Sequence, residues 1–409
     1  MLSHEENELF TRVGPGMPAG ELLRRYWQPV CYVRDLTPDD PSRSIRIMDE
    51  ELAVFRFPDG SYGCMEEHCA HRRTSLAYGF VETDGIRCAY HGWKYDRTGQ
   101  CVDQPFEPAG STFKERIRLQ AYPAQALAGL VFVYMGPLPA PVLPRWDFMV
   151  WHDGRRELRR QPPLNCNWLQ IQENTADYVH TYFLHGHMLY TEGKRDAYSM
   201  RLYRPFQRYC FQPFEWGQVK AWEYARTDLW PEAKEAGAML IMPNILRFAY
   251  DMHWRVPIDD THTLVFAISY KPGDPAPPDE QDNPPLVEDE PQYRPDGRIA
   301  RDHIWAQDRL AWETQGPVFD RSLEHLGTSD RGIILFRQML REQIELVRQG
   351  KDPMNVLREP RDIIELPLDQ YVQPREGQGM DLRMWDYFDA RQEWFDVPEG
   401  PARTPGFVA

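Results

Sequence analysis

The sequence predicts an α+β protein in which a small all-β domain is followed by a larger domain of helices and strands. The chain has 409 residues, more than a single hydrophobic core usually supports, so we expect two domains. Strand-like segments separated by turns dominate residues 27–135, and the proline-rich run 136–144 disfavours regular structure. We therefore predict one domain at 1–144 and a second at 145–409.

In the first domain, residues 19–27 have the pattern of a short amphipathic helix. Segments 52–57 and 61–64 flank a Pro-Asp-Gly turn at 58–60, which is typical of a β-hairpin. A second turn is predicted at 96–99. These signals favour an all-β domain with one helix before it.

The second domain mixes helical and strand patterns. The predicted helices are 167–184, 298–314 and 331–349, and the strand-rich segments are 198–227, 238–257 and 261–271. Residues 272–296 contain eight prolines and eight acidic side chains with a single arginine. A segment of that composition buries little apolar area, so we expect a mobile surface loop there.

Charge and composition exclude several classes of function. The net charge of −15 disfavours nucleic-acid binding and suits solubility, or docking of a partner with a basic patch. There is no stretch of about twenty uninterrupted apolar residues that could span a bilayer. The acidic N-terminal sequence lacks the features of a secretory signal, so we expect a cytoplasmic protein with reduced thiols.

Two short motifs contain four residues of metal-ligand type, two cysteines and two histidines. Cys69 and His71 form a C-x-H sequence, and Cys88 and His91 form a C-x-x-H sequence sixteen residues further on. Two thiolates on one iron and two imidazoles on the other are the ligands of a Rieske [2Fe–2S] cluster. Because each half of the pair follows a predicted strand, two loops can converge on one cluster.

Other metal sites fit this spacing less well. Structural zinc sites usually contain C-x₂₋₄-C pairs. A plant-type ferredoxin needs C-x₄-C-x₂-C, and although Cys64 and Cys69 begin that pattern, position 72 is arginine. The remaining cysteines are therefore expected to be buried thiols: Cys31, Cys64, Cys101, Cys166 and Cys210.

A second metal site is predicted in the helix 167–184. Glu173, Asp177 and His180 are spaced i, i+4 and i+7, which places them on one stripe of a helix. His185 would lie about 140° from that stripe, so the helix must bend or end between the two histidines. His187 is an alternative ligand, and His180 could instead be a core residue bonded to Asp177.

The third ligand is predicted to be Asp308. In the helix 298–314, Asp308 shares a face with Trp305 and Trp312, so its carboxylate points toward the apolar interior, whereas Asp302 faces solvent. Two histidines and one carboxylate form the facial triad of non-haem Fe(II) oxygenases. A one-electron carrier in the same chain needs such an electron acceptor.

These motifs resemble the oxygenase α subunits of Rieske non-haem iron oxygenases. The D-x-x-H-x₄-H string that begins at Asp177 matches the family motif position by position. Segments 16–30 and 315–326 are most similar to the phthalate and phenoxybenzoate dioxygenase branch. The residues carried over are Cys69, His71, Cys88 and His91 for the cluster, and His180, His185 and Asp308 for the mononuclear iron.

The resemblance implies a Rieske domain followed by a catalytic domain with a helix-grip fold. It also implies a trimer, or two stacked trimers, in which the cluster of one subunit serves the iron of its neighbour. Asp177 would then bridge His180 and the neighbour's His91 or His71. The alternative is that Asp177 only orients His180 within its own subunit.

The same resemblance implies the reaction. Electrons from NAD(P)H would arrive through a separate flavin and iron–sulfur reductase, since the chain has no G-x-G-x-x-G sequence opening a βαβ unit. O₂ would be inserted into an aromatic substrate, with dihydroxylation expected. A monooxygenase or O-demethylase remains an alternative, as do a non-enzymatic electron carrier and a ligand-binding module.

An aromatic carboxylate is the substrate class that the branch resemblance implies. A buried anion needs a cation or several hydrogen-bond donors. Alternation along a strand at 244–256 places Arg247 on one face with Asp251, His253 and Arg255. We expect Arg247 to hold the carboxylate, with Arg204 and Arg208 as further candidates. The alternative places these arginines on a solvated or subunit-contact face.

Overall fold

The computed structural model describes residues 1–225, 234–289, 291–367 and 394–397. The helices are α1 (His4–Thr11), α2 (Pro18–Leu23), α3 (Asp147–Val150), α4 (Trp168–Ala176), α5 (Met188–Thr191), α6 (Ala197–Leu202), α7 (Pro278–Asp282), α8 (Ile304–Glu313) and α9 (Arg331–Arg348), with a π helix at Thr181–His187. No helix among the described residues is long and apolar enough to cross a membrane.

In the part of the chain that the structure describes, twenty strands form four sheets. They are β1 (Trp27–Tyr32), β2 (Ser42–Ile47), β3 (Glu50–Arg56), β4 (Tyr62–Glu66), β5 (Phe80–Val81), β6 (Gly85–Arg87), β7 (Lys94–Asp96), β8 (Cys101–Asp103), β9 (Ala121–Tyr122), β10 (Ala124–Leu127), β11 (Leu130–Tyr134), β12 (Gly154–Arg160), β13 (Phe206–Phe214), β14 (Gly217–Tyr224), β15 (Lys234–Ile241), β16 (Ile245–Phe248), β17 (Asp251–Pro257), β18 (Thr263–Pro272), β19 (Leu286–Glu288) and β20 (Phe395–Asp396).

The N-terminal part of the chain contains two four-stranded sheets of short strands, and the second is inserted between β4 and β9 of the first. Their strand orders are β2-β3-β4-β9 and β5-β6-β7-β8. The predicted hairpin is present as β3 and β4, with Val54 opposite Cys64. A separate small core joins these sheets, and it includes Phe55, Cys69 and Cys88. The cysteines of the first motif are therefore anchored in a packed interior.

The third sheet has the order β1-β11-β10. Its first strand includes the end of the segment 19–27, so the predicted helix is shorter than expected. The helix α2 begins at Pro18 and ends at Leu23, and Trp27 already starts β1, where it lies opposite Tyr134. Strand pairing outweighs local helical pattern at these residues, because all six residues of β1 are buried.

The fourth sheet has nine strands in the order β19-β12-β18-β17-β16-β15-β14-β13-β20. All its pairs are antiparallel except β12 with β19. Helices α4 and α9 pack against this sheet and against each other. The predicted helix 331–349 is confirmed as α9, whereas the predicted helix 298–314 begins only at Ile304, where the His303 side chain caps it.

The acidic segment 272–296 is more ordered than predicted. It contains α7, and β19 adds a parallel strand to the edge of the large sheet. The buried Arg156 guanidinium donates to the backbone and side-chain oxygens of Gln281. This arginine ties α7 to β12, which composition alone could not reveal.

The predicted single strand at 244–256 is a hairpin. β16 and β17 are joined by a turn at Ala249 and Tyr250, with Ala249 at a φ of 49°. Leu246 therefore lies opposite His253 across the pair. The reversal changes which face each side chain occupies, because side chains alternate along each strand separately. The segment 198–227 also differs from the prediction, since it begins with α6.

Candidate functional site

Two similar loops carry the four residues of the C-x-H and C-x-x-H motifs. The Cys69 loop follows β4 and is closed by a bond from Arg73 N to Cys69 O of 2.9 Å. The Cys88 loop follows β6 and is closed by a bond from Gly92 N to Cys88 O of 3.0 Å, with Gly92 at a φ of 74°. The cysteines are buried while His71 is exposed. Thiols point inward and imidazoles point toward the surface.

Aromatic side chains hold this arrangement. The Tyr95 hydroxyl lies 3.2 Å from Cys69 Sγ and accepts a bond from Ala70 N. The Trp93 ring stacks on His71 with a centroid distance of 4.6 Å, and the His71 and His91 rings are 4.5 Å apart. Two buried thiols that contact each other and two imidazoles whose rings contact each other fit the ligand set of a Rieske [2Fe–2S] cluster.

The helix break that positions the second site lies before His180. Helix α4 ends at Ala176, and Asp177 adopts an extended conformation as its C-cap. The Asp177 carboxylate accepts bonds from the backbone N–H groups of Val179 and His180. The π helix then carries His185. Because its hydrogen bonds run from i to i+5, His180 and His185 are about one turn apart and face the same point.

Three metal-ligand side chains converge there. Single ligand atoms of His180, His185 and Asp308 lie within 4.8 Å of one another. Asp308 Oδ1 is 3.3 Å from His185 Nε2 and 3.9 Å from His180 Nε2. Asp308 is supplied by α8, where it is 8 % exposed. Two nitrogen donors and one carboxylate oxygen at one point fit a facial iron triad.

The other ring nitrogen of each histidine is fixed by an acceptor. His180 Nδ1 donates to Asp177 Oδ2 at 2.8 Å, and His185 Nδ1 donates to Gln307 Oε1 at 2.9 Å. The Gln307 amide is oriented in turn by its donation to Arg301 O. Each Nε2 atom therefore carries its lone pair toward Asp308. Asp177 was predicted for this role, whereas Gln307 was missed, and its position next to Asp308 is the only sequence signal.

The charges of the site favour a carboxylate at Asp308. Burial acts to raise its pKa, but His185, His180 and Arg255 outweigh burial and hold the pKa below its usual value. The pKa of Asp177 is lowered in the same way, against its burial, by His180 and Lys220. Both carboxyls are therefore ionised at neutral pH.

The other candidates for this site lie elsewhere. His187 Nδ1 is 3.2 Å from the Tyr203 hydroxyl, outside the group of converging atoms. The prediction that Glu173 shares a stripe with Asp177 and His180 is wrong. Glu173 is instead buried against Arg321 and Arg337. The break at Asp177 separates Glu173 from the site.

A cavity of about 590 Å³ opens onto the three converging side chains. Aromatic and aliphatic side chains form much of its wall, among them Tyr178, Leu246, Phe248, Trp305 and Trp312. Such a space, apolar with a few polar groups, is typical of a site for a small organic molecule.

The three arginines predicted to contact a substrate do not line this cavity, which corrects that prediction. Arg247 is fully buried beside Asp147 at 3.4 Å. Arg208 forms two bonds with Glu223, and Arg204 lies 3.9 Å from Glu235. The turn at Ala249 reverses the face of Arg247 relative to β17.

Residues of β17 line the cavity, whereas Arg247 does not. Asp251, His253 and Arg255 all line it, together with Leu246 and Phe248 of β16. The alternation predicted for these three residues is therefore present, but Arg247 does not belong to it.

A family model for the Rieske [2Fe–2S] domain matches residues 26–123. The chain is similar to the 5,5′-dehydrodivanillate O-demethylase oxygenase subunit of Sphingobium sp., with 36 % identity over 93 % of this chain and 89 % of that protein. It is also similar to the phthalate 4,5-dioxygenase oxygenase subunit of Pseudomonas putida, with 33 % identity over 86 % of this chain and 88 % of that protein.

A solved structure has the same fold, and a further relative is similar in sequence. The terminal oxygenase of carbazole 1,9a-dioxygenase from Nocardioides aromaticivorans IC177 matches with a TM-score of 0.61, covering 84 % of this chain and 98 % of that one at 19 % identity. The phenoxybenzoate dioxygenase α subunit of Ectopseudomonas oleovorans is 34 % identical over 86 % of this chain and 88 % of that protein. The chain therefore belongs to the oxygenase subunits of the Rieske non-haem iron oxygenases, which combine a [2Fe–2S] cluster with a mononuclear iron.

Proposed function

We propose that this chain is the oxygenase component that hydroxylates an aromatic, carboxylated substrate at an Fe(II) ion held by His180, His185 and Asp308. The observation that carries this proposal is the convergence of the three side chains within 4.8 Å on a cavity of about 590 Å³. The bound iron would supply the activation of O₂.

The protein residues around this site have separate tasks. Asp177 and Gln307 accept hydrogen bonds from the two histidines and so hold each proton on Nδ1. Both Nε2 atoms are then free to bind metal. Phe248 and Trp305 line the cavity and would hold an aromatic ring while excluding water. Cys69, His71, Cys88 and His91 would hold the [2Fe–2S] cluster that stores single electrons.

The electrons would come from a separate NAD(P)H-dependent flavin and iron–sulfur reductase. The absence of a G-x-G-x-x-G sequence that opens a βαβ unit supports a separate donor. A reaction mixture of this chain, NADH and O₂ should form no product until a reductase is added. Product formation without a reductase would contradict this part of the proposal.

Dihydroxylation is the main reaction proposed, and O-demethylation is the second candidate. The second candidate is favoured by the 36 % identity to an O-demethylase subunit. Turnover of aromatic carboxylates under ¹⁸O₂ separates the two. Two labelled oxygens in a cis-diol support dioxygenation. Release of formaldehyde with no label in the aromatic phenol supports demethylation, because the inserted oxygen leaves with the methyl carbon and the second oxygen leaves as water. Oxidation of NADH without any oxidised aromatic product would contradict both.

A non-enzymatic electron carrier is the alternative from another class. Such a carrier needs the cluster but no mononuclear site. Three irons per chain, two from the cluster and one from the His180 site, support the oxygenase. Only two irons in a fully loaded cluster-containing protein would favour the carrier.

We also propose that the chain assembles as a trimer, or as two stacked trimers, in which Asp177 faces the cluster of a neighbour. Three features support this: His71 is exposed, Asp177 and His180 line an open surface groove, and Phe183 at the same groove is 49 % exposed. Three further apolar side chains line the same groove and are partly exposed, namely Val179, Leu184 and Met188. A contiguous apolar patch of this kind marks a contact surface.

The variant Asp177→Asn tests this bridging role. It should retain both metal sites and the oligomer while product formation falls by orders of magnitude. Loss of iron from Asp177→Asn would instead indicate that Asp177 only orients His180. A fully active variant, or a monomeric wild-type protein with full activity, would contradict the bridge.

A further inference from the structure

Arg255 differs from the other fully buried arginines. Arg247 lies beside Asp147, Arg309 pairs with Asp289, and Arg321 pairs with Glu173. Arg255 is 2 % exposed, and its Nη1 donates to the neutral amide of Gln172 at 3.0 Å. Within the described parts of the chain, no carboxylate lies within ion-pair distance of it. A buried guanidinium without a counterion is costly.

Asp308 does not act as the missing counterion of Arg255. Its Oδ1 atom faces the two histidines, at 3.3 and 3.9 Å. The field of Asp308 acts to raise the pKa of Arg255, yet burial dominates and lowers that pKa to about 9. The guanidinium is therefore still charged at neutral pH, and its positive charge lies in the wall of the cavity.

Further polar atoms of the same cavity lack a partner in the protein. They are Arg255 Nε, His253 Nδ1, Trp312 Nε1 and Thr175 Oγ1, each on a residue that lines the cavity and is no more than 3 % exposed. Buried donors without acceptors are rare in folded proteins. The Arg255 and Trp312 atoms can only donate, so together they call for an acceptor that carries negative charge.

The position of this group is set by the sheet. His253 and Arg255 are two residues apart on β17, so both side chains point to the same face. The His253 ring lies 4.6 Å from the ring of Trp305, one turn before Asp308 on α8. The donor group and the converging iron ligands therefore line the same cavity.

We infer that Arg255 determines substrate specificity by binding an anionic oxygen of the aromatic substrate, a carboxylate or a phenolate. This inference rests on the proposed function and names the residue that makes the site selective. Trp312 Nε1, an unpartnered donor of a residue that lines the same cavity, would share the same oxygen group. The substrate ring would lie between this anchor and the side chains of His180, His185 and Asp308.

The test compares an acid with its neutral analogue in the metal-loaded protein. Binding of 4-methoxybenzoate, 4-biphenylcarboxylate and their amides is measured by calorimetry for wild type and Arg255→Met. The variant should bind the acids roughly a hundredfold more weakly, as expected when one partner of a buried charged pair is removed. Its affinity for the amides should change by less than about threefold.

Two further variants control the charge effect. Lys194→Met removes one positive charge from an exposed residue of the same cavity, and it should leave the preference for acids unchanged. Arg255→Lys should retain part of the preference. Equal losses for Lys194→Met and Arg255→Met would indicate long-range attraction and overturn the inference. 4-Nitrophenol, measured across its own pKa, which lies below the pKa of Arg255, distinguishes a phenolate from a carboxylate.

The melting temperature of Arg255→Met separates a binding role from a structural one, because a structural role would lower it. Replacing an unpaired buried arginine by methionine is expected to leave the melting temperature unchanged or raise it. A large fall in melting temperature with unchanged acid preference would show that Arg255 only supports packing. If wild type binds acids and amides equally, the inference fails. If wild type prefers acids but oxidises none of them, the proposed function fails while the Arg255 site stands.

Discussion

His185 Nδ1 lies 2.9 Å from Oε1 of Gln307, the residue directly before Asp308 in the chain. Two consecutive residues of α8 therefore serve one site in two ways. Asp308 faces the ligand atoms of the histidines, and Gln307 fixes the opposite side of the His185 ring.

Gln307→Leu should weaken iron binding. Without the acceptor, His185 can rotate or change tautomer, and loss of such a partner typically costs about tenfold to a hundredfold in metal affinity or activity. Iron content and iron affinity measure the effect, and the visible spectrum of the cluster should not change. Gln343→Leu is a matched control, because Gln343 is also buried but bonds to Met354 N. Equal iron loss in both variants would contradict the role of Gln307.

Tyr95→Phe should lower the reduction potential of the cluster. The Tyr95 hydroxyl is 3.2 Å from Cys69 Sγ, and hydrogen bonds to the sulfurs raise the potential of an iron–sulfur cluster. A hydrogen bond of about 1 kcal/mol corresponds to a shift on the order of 40 mV for one electron. A redox titration followed by circular dichroism measures this shift. Tyr122→Phe, whose hydroxyl bonds to Glu50, should leave the potential unchanged.

Arg321→Met should destabilise the fold. The Arg321 guanidinium donates to both oxygens of the buried Glu173 carboxylate, at 2.7 to 3.0 Å. Removing one partner of a buried ion pair costs about 3 kcal/mol or more. Denaturant unfolding measures the loss. The double variant Arg321→Met with Glu173→Gln should be less destabilised than the sum of the single variants, and additivity would contradict a direct pairing.

Acid should remove the stability that Glu82 contributes. Bonds from Arg87 and Lys94 lower the pKa of Glu82 from 4.5 to about 2. Because the pKa is lower in the folded state, the contribution is present above about pH 4.5 and is lost as the pH falls toward about 2. Glu82→Gln should therefore lower the urea midpoint at pH 6 more than at pH 3. Glu107→Gln, at an exposed position, should show no such difference.

Much of the site could be predicted because its signals are local. The spacing of Cys69, His71, Cys88 and His91 identifies the cluster from residue types alone. The inward face of α8 could be predicted from the tryptophans that flank Asp308. The structure brings Asp308 to His180 and His185 as expected, although the helix breaks at Asp177 rather than between the histidines.

The substrate contacts could not be predicted in the same way. A strand alternates its side chains with a period of two, so one unrecognised turn reverses every assignment beyond it. The turn at Ala249 and Tyr250 has this effect, and it moves the cavity contact from Arg247 to Arg255. Local residue patterns contain no signal for that exchange.

The sequence by itself determined the cofactor class, the family and the three residues that converge at His180, because ligand types at fixed spacing specify chemistry without a fold. Only the tertiary structure decided that Gln307 holds His185, that Glu173 pairs with Arg321, 148 residues away, and that Arg255 lies without a counterion in the cavity wall. These relations depend on which distant elements pack together. That packing is set by the burial of whole helices and strands, which no short segment of the chain encodes.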